Sequence, residues 1–342
     1  MRGNLLFVAK RTAAGAVLAL LAACASVERH PVPISAMNRA AVPGMPEIRD
    51  WGDEPSERFQ RDLIQSVRDM SAASGSKELR RQLNVLVLSG GGSNGAFGAG
   101  FLSGWTAAGG RPVFHLVTGV STGALIAPFA FLGSDYDSML ERVFTTVTTK
   151  DIYRIRNPLT VIKKDSLART DPLELRIEQV IDEEILRSIA AQHRRGRRLF
   201  VGTTNLDAQR FVIWNMGAIA ASDHPGALRL FRKVLLASAS IPVAFPPVYI
   251  NVEVDGSQFD EMHADGGVIS QLFLWGAMVD LADARADLLE SPEDSIDASI
   301  YIIRNSQIDA DPIQVKPGLI GIATRSMITL LKAVAIGDIA RV

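Results

Sequence analysis

The residues best suited to covalent chemistry are a serine, a run of glycines and an aspartate. Ser121 lies in Gly119-Val120-Ser121-Thr122-Gly123, between an apolar run from Phe114 to Val120 and a helix-like run from Ala124 to Leu132. A G-x-S-x-G between strand and helix forms a nucleophile elbow. The bend pushes the hydroxyl out of the sheet, and Gly119 and Gly123 remove the side chains that would collide there. The hydroxyl then sits near a helix N-terminus, whose unpaired N–H groups favour developing negative charge. Upstream, Val85-Leu86-Val87-Leu88-Ser89 runs into Gly90-Gly91-Gly92-Ser93-Asn94-Gly95. Backbone N–H groups of Gly90, Gly91 and Gly92 in such a turn can face an oxyanion, and one such donor is worth roughly 10²–10³ in rate. Together the two turns suit acyl transfer through a serine ester.

The glycine turn also fits a dinucleotide fingerprint after a strand. That use calls for an acidic residue roughly 20 positions on, to hold a ribose. No Asp or Glu occurs between Glu78 and Asp135, so the nucleotide reading loses its second anchor.

A serine hydroxyl is a weak nucleophile until a neighbour takes its proton. The histidines are His30, His115, His193, His224 and His263. None follows Asp265, so the Ser–Asp–His chain order of α/β-hydrolases cannot be completed with it. Asp265 closes a strand-like run, Gln258 to Ala264, and Gly266 and Gly267 let the chain turn sharply there. It is the strongest candidate for the base. Asp255 is a rival, but Asp255-Gly256 separates two strand-like runs and is accounted for by a hairpin. Asp207 lies in another turn. His263 shares the strand face of Asp265 and is expected as a partly exposed residue. His115 is expected below the active end, packed or at an edge.

The elements that must position these groups read as strand, glycine turn, helix, strand, elbow, helix from Val85 onward. Both turns fall at one end of a parallel sheet if the crossover is right-handed. A helix is expected over Pro55–Met70, with Phe59, Leu63, Ile64 and Val67 at core spacing. Further helices are expected from Asp135 to Thr149, from Asp171 (as N-cap, with Pro172 first in the helix) to His193, and from Ala227 to Ala239. Strands are expected over Leu199–Thr203, Arg210–Trp214, Val248–Val254 and Asp297–Ile303. Leu272–Leu289 and Pro317–Ala340 carry helical patterns. Asp151–Thr170 is poorly periodic and is a candidate lid or lipid-facing loop, with an ordinary connection as the alternative. The basic run His193 to Arg198 fits a helix C-terminus stopped at Gly196 better than a headgroup patch.

Gly90-Gly91-Gly92-x-x-Gly95, the elbow at Ser121, Ala237-Ser238-Ala239-Ser240-Ile241-Pro242, Phe245-Pro246-Pro247 and Asp265-Gly266-Gly267 resemble the patatin-like phospholipase family. The likeness runs from about Asn84 to at least Gly267, and more loosely to the end of the chain. It implies an α/β three-layer sandwich, with a central, mainly parallel sheet and helices on both faces. It implies a Ser121–Asp265 dyad, an oxyanion hole at Gly90, Gly91 and Gly92, and supporting glycines at Gly95, Gly119, Gly123, Gly266 and Gly267. The implied substrate is a phospholipid or other acyl-ester lipid, with no cofactor and no metal. Many relatives carry Arg or Lys where Asn94 stands. The same dyad could serve an acyltransferase, and a non-catalytic envelope scaffold is the reading from a different class. Relatives tend to continue beyond the position of Val342, so a shortened C-terminus is expected.

The chain has 342 residues, 47% hydrophobic and 21% charged, with net charge −1. That composition is globular, and the lack of basic excess argues against a nucleic-acid partner. Arg2, Lys10 and Arg11 precede an apolar run, Thr12 to Leu21, too short for a spanning helix of about 20 residues. Leu21-Ala22-Ala23-Cys24 follows and resembles a bacterial lipobox. Cys24 is the only cysteine, so no disulfide can form within the chain. The expected organisation is a signal peptide over 1–23, a lipid-anchored, proline-rich tether over 24–52 and a catalytic domain over 53–342. Loss of the leader with its three cations moves the net charge from −1 to −4. Ala25 after the cysteine resembles the pattern for outer-membrane sorting, so the expected location is the cell envelope, anchored through acylated Cys24. Replacing Cys24 with Ser should leave the chain unprocessed or release it from the membrane fraction. Unchanged fractionation and gel mobility would count against lipidation.

Overall fold

The computed structural model describes residues 29–74, 82–146, 148–156, 166–274, 279 and 297–340. Strand β1 (Arg49–Trp51) and helix α1 (Glu57–Ser74) precede the motif region. Then come β2 (Gln82–Leu88), α2 (Gly95–Ala107), β3 (Leu116–Val120), α3 (Thr122–Leu132) and α4 (Asp137–Thr145). A one-turn α5 (Thr149–Ile152) and the short pair β4 (Arg154–Ile155) and β5 (Ala168–Arg169) lead to α6 (Asp171–Val180) and α7 (Glu183–Arg194). The remaining elements are β6 (Arg198–Asn205), β7 (Arg210–Asn215), α8 (Met216–Ala221), α9 (Ala227–Ser238), β8 (Val248–Val254), β9 (Ser257–Asp265), β10 (Asp297–Ile303) and α10 (Leu319–Ile339).

The main sheet has the order β1-β7-β6-β3-β2-β10, with β9 also on β6 and β8 on β9. Its centre, β10-β2-β3-β6, is parallel, whereas β1, β7, β8 and β9 join antiparallel. Alternation along the central strands feeds two cores. Leu86, Leu88, Leu199, Val201, Val212 and Trp214 face the larger one, shared with α2, α3, α7 and α9. Val85, Val87, Phe200, Phe211 and Ile213 face the other, covered by Phe59 and Leu63 of α1 and by Leu272 and Phe273. Strands buried on both faces must be apolar at nearly every position, which is why β2, β3 and β6 read as continuous hydrophobic runs. The result is the expected α/β sandwich with helices on both sides of the sheet.

The chain before residue 53 departs from its expected role as a tether. From Arg29 onward it is packed on the domain. Arg29 pairs with Asp207 and Asp260, Val32 and Ala36 bury against Val252 and Val254, and β1 adds an edge strand to β7. Val42, Met45, Ile48 and Trp51 join the main core. Their spacing follows neither a helix nor a strand period, because the segment is built of single bridges and a 3₁₀ turn over Ile34–Arg39. Its prolines therefore suit a packed arm as well as a tether. Residues 1–28, including the leader and Cys24, lie outside the described residues.

Smaller corrections follow the same logic. Thr170, not Asp171, is the cap residue of α6; the Asp171 carboxylate instead takes the Arg169 guanidinium at 2.6 Å. The basic run is largely internal. Gly196 has φ +91 and stops α7, while Arg197 and Arg198 are buried on carbonyls and on Asp62. Of the suspected lid, the described flanks are tied down, with Leu167 and Ala168 donating to Val243 and Ala244; residues 157–165 lie outside the described residues, as does most of the helical pattern over 272–289.

The strongest lock between the arm and the sheet is Arg49, which forks onto both carboxylate oxygens of Glu261 with both side chains buried. Burial alone would raise the Glu261 carboxyl, but Arg49 and His263 hold it at about 2. Arg49→Met should strand that charge in the interior and cost about 3–5 kcal/mol in urea denaturation, whereas Arg49→Met with Glu261→Leu should recover most of the loss.

Candidate active site

The site is assembled along one edge of β6. Strand β3 pairs with β6 up to Val120, which lies opposite Gly202. Strand β9 comes from the other direction and pairs Asp265 with Thr203, the next residue along β6. The register slot that Ser121 would fill if β3 continued is taken by Asp265. Ser121 turns off the strand at that point, and its Oγ donates to Asp265 Oδ2 at 2.6 Å.

Local sequence makes the turn possible. Ser121 has φ 55 and ψ −125, a strained conformation for a residue with a side chain and typical of a nucleophile elbow. A Cβ on Gly119 would come within 2.6 Å of the Gly123 carbonyl oxygen, and one on Gly123 within 2.3 Å of the Leu88 oxygen. Ser121 also caps α3, with its carbonyl accepting from Ala124 at 2.9 Å. Ser238, at the end of α9, inserts its hydroxyl between the two strands: Ser121 N–H donates to Ser238 Oγ at 2.9 Å, and Ser238 Oγ donates to the Gly202 carbonyl at 2.7 Å. One hydroxyl thus replaces the ladder bond that ends where β3 bends away.

The glycine turn is held just as closely. A Cβ on Gly90 would lie 3.1 Å from Ser121 Cβ, and one on Gly91 only 1.8 Å from the Asn305 carbonyl oxygen. Asn305, fully buried after β10, donates from its backbone to Ser89 Oγ and from Nδ2 to the Ser89 carbonyl, each at 2.8 Å. The N–H groups of Gly91 and Gly92 find no acceptor among the described residues, and both glycines line the cavity that holds Ser121. Gly95 lets α2 approach Thr122, whose Oγ1 would meet a Cβ there at 2.2 Å.

Asp265 is almost wholly enclosed. Its Oδ1 accepts from Gly267 N–H at 2.8 Å, and its backbone N–H donates to the Ser240 carbonyl at 2.9 Å. A Cβ on Gly266 would meet the Gly202 oxygen at 2.5 Å, so the first glycine after the aspartate is needed for close approach to β6. The rivals lie elsewhere. Asp255, at φ 50 beside Gly256 at φ 80, forms the β8–β9 hairpin and pairs with Arg39; Asp207 holds Arg29 and the Met262 N–H. His263 is not partly exposed as expected. It is fully buried, with Nδ1 on Thr203 Oγ1 at 2.9 Å and Nε2 on Glu261 at 3.1 Å. His115 sits at the other end of β3, where its Nδ1 accepts from Asn84 N–H.

Four residues of the site carry no signal of their role in the sequence pattern. Ser238 stands in a segment notable only for its family likeness, and Asn305 carries no motif. Gln271 lines the cavity with its amide between Gly90 and Gly267, and Asp338 accepts from the Gln271 and Leu272 N–H groups at 2.6 and 3.2 Å. The cavity, about 770 Å³, is walled on one side by the glycine turn, Ser121 and Asp265 and on the other by α10.

A serine on a strained elbow is thus hydrogen-bonded to a buried carboxylate beside a glycine turn, within an α/β sandwich. The patatin-like phospholipase family model matches residues 86–278, more than half of the sequence, and the chain belongs to that family. Among solved structures, VipD from Legionella pneumophila aligns at 13% identity and a TM-score of 0.37, over 65% of this chain and 49% of its own. The chain thus spans about half of that protein's length. No curated protein resembles the chain closely enough to count as a match. No cluster of metal-ligating side chains occurs among the described residues.

Burial raises the Asp265 carboxyl to about 7, against the Ser121 and Gly267 hydrogen bonds, which lower it. A base acting as carboxylate then requires kcat/KM to rise with pH through an apparent pKa near 7. Stability runs the other way. Between 3.8 and about 7 the folded state holds the Asp265 proton more tightly than the unfolded chain, so stability falls as pH rises through that window. Asp265→Asn removes this penalty, which deepens by about 1.4 kcal/mol for each tenfold fall in proton concentration across the window. Its thermal midpoint should gain on wild type from pH 4 to 7 and keep a constant lead above. A lead that does not change with pH would show that the fold leaves the Asp265 carboxyl at its unfolded value.

Proposed function

We propose that the chain is a lipid acyl hydrolase that cleaves a carboxylic ester of a phospholipid or other acyl-ester lipid. The observation that carries this reading is the 2.6 Å hydrogen bond from Ser121 Oγ to Asp265 Oδ2 at the wall of a large cavity. Ser121 Oγ attacks the ester carbonyl while Asp265 takes its proton. The carbonyl oxygen, now negative, is met by backbone N–H groups of the Gly90–Gly92 turn. Collapse of the tetrahedral species expels the alcohol, which takes the proton from Asp265 and leaves an acyl ester on Ser121. Water, deprotonated by Asp265, then attacks that ester and returns Ser121 with a free fatty acid. Preorganised donors and a base near its working pH are the main rate terms available to such a site.

Asn94 borders the same cavity in the place where many relatives have a cation, so the glycine turn itself offers the oxyanion backbone dipoles only. The location belongs to the same proposal: a mature chain acylated at Cys24, held in the cell envelope at the outer membrane, with membrane lipid as its substrate.

A fluorophosphonate mimics the tetrahedral intermediate and should label wild type at one residue. Ser121→Ala should abolish the label. Asp265→Asn should slow it by roughly 10²–10⁴. Incubation with mixed phospholipids should yield free fatty acid and a lysolipid, read by mass spectrometry. A folded wild-type protein that takes no label and releases no fatty acid would instead be a scaffold with a hydrolase fold.

A further inference from the structure

Gln271 carries a polar side chain that neither the fold nor the first half of the reaction employs. It stands six residues after Asp265 and is only 6% exposed, yet it lines the cavity that holds Ser121. Its backbone is pinned from the far wall, where Asp338 of α10 accepts from the N–H groups of Gln271 and Leu272 at 2.6 and 3.2 Å. The side chain is far less occupied. Nε2 donates to the Gly267 carbonyl at 3.5 Å, a long and weak bond, and Oε1 takes no donor among the described residues. Oε1 is not sealed in protein either, so it opens on the cavity. Buried polar atoms are ordinarily paired, and an amide held in place with its acceptor unused is available to a ligand.

The position of the amide selects the ligand. The point where Gly90 would carry a Cβ lies 2.2 Å from Gln271 Oε1 and 3.1 Å from Ser121 Cβ. The corresponding point on Gly267 lies 2.1 Å from Gln271 Nε2 and 3.0 Å from Asp265 Oδ1. The carboxamide therefore runs alongside the dyad, with its oxygen at the serine end. Neighbouring acceptors are in use: Gly267 N–H donates to Asp265 Oδ1, and Ser89 Oγ donates to the Gly90 carbonyl. Asp265 Oδ2 is bonded to Ser121 Oγ only while Ser121 carries its hydrogen. Once Ser121 is an ester, Oδ2 has lost that donor. An incoming water must then give one hydrogen to Oδ2 and turn the other elsewhere. In an enclosed site that second O–H is costly to leave unpaired.

We propose that Gln271 is a further catalytic residue, whose Oε1 accepts the second hydrogen of the hydrolytic water and so aims the water oxygen at the acyl carbon on Ser121. The role rests on the acyl-hydrolase reading and adds to it a preference for water over an alcohol as the acyl acceptor. The water oxygen forms the new C–O bond while Asp265 takes the hydrogen on its side. The acyl C–O bond to Ser121 then breaks, and Ser121 Oγ recovers that proton from Asp265. The other hydrogen, bonded to Gln271, stays on its oxygen throughout and leaves with the fatty acid. An alcohol has a single O–H, gives it to Asp265 and needs nothing from Gln271. The amide is held for this role from two sides, by Gly267 through Nε2 and by Asp338 through the backbone.

The test gives the full chain 4-nitrophenyl butyrate in water–methanol mixtures, where water and methanol compete for the acyl enzyme. The ratio of methyl butyrate to butyrate, read by gas chromatography, does not depend on how fast the acyl enzyme forms. Gln271→Met has a similar volume and no strong acceptor. It should slow butyrate release and raise that ratio roughly tenfold, the worth of one hydrogen bond. Labelling of Ser121 by a fluorophosphonate needs no water and should persist in this variant, as should its thermal midpoint. Gln271→Glu keeps an acceptor oxygen and should return the ratio toward that of wild type. An unchanged ratio in Gln271→Met would overturn the role. So would a ratio raised equally in Gln271→Glu, which would assign the effect to packing, or a loss of labelling in step with hydrolysis, which would assign Gln271 to the first half of the reaction. Wild type that takes no label and releases no butyrate would remove the acyl-hydrolase reading and this role with it. Wild type that does both, with a ratio indifferent to residue 271, would remove the role of Gln271 alone.

Discussion

One edge of β6 is shared between two strands, and the rest of the site depends on that division. The lower half of the edge pairs with β3 and the upper half with β9, and the boundary falls between Gly202 and Thr203. A strand that leaves a sheet there must bend sharply, and a strand that arrives must end beside the bend. The departing strand carries Ser121 and the arriving one Asp265, which places their side-chain oxygens 2.6 Å apart. Nothing on either segment alone requires this. The shared edge has to be stabilised, because backbone groups at a strand junction lose their ladder partners. The Ser238 hydroxyl supplies the missing link, and Gly266, with no side chain, can lie against the Gly202 carbonyl.

The same strand shows how surroundings decide what a carboxylate can do. Glu261 and Asp265 lie four residues apart on one face of β9, both buried. Glu261 faces Arg49 and is held at about 2, so it stays charged across the physiological range as a structural anchor. Asp265 faces a hydroxyl and a backbone N–H, neither of which carries charge, and burial lifts it to about 7. A group with a pKa near the working pH can both accept and return a proton. His263 between them is kept neutral by burial despite Glu261, and its hydrogen bonds to Thr203 and Glu261 brace β9 rather than reach Ser121. The arm that delivers Arg49 therefore stiffens the strand that carries the candidate base.

Most of the local structure could be read from residue types. The apolar runs, the two glycine turns, the elbow and the Asp255-Gly256 hairpin all fall where the pattern put them, because each depends on interactions within a few residues. Asp265 could be picked from the glycines that follow it and from the lack of a later histidine. The packed arm from Arg29 to Trp51 is not legible in the sequence, since its burial comes from scattered contacts with β7, β8 and β9 and leaves no period. The burial of His263 is hidden for a related reason: strand alternation gives its face but not what covers it.

What the sequence by itself determined is the set of local geometries. It set the bends that only glycine allows, the strands that must be buried on both faces, and the residue types able to carry out acyl transfer. Only the tertiary structure decided that Ser121 and Asp265 meet, that Ser238 and Asn305 hold the two turns in place, and that α10 lines the cavity opposite them. Those facts depend on residues up to 216 positions apart, as in the Asn305–Ser89 bond. Contacts at that separation are set by strand register and helix packing, and neither leaves a mark on the spacing of nearby residues.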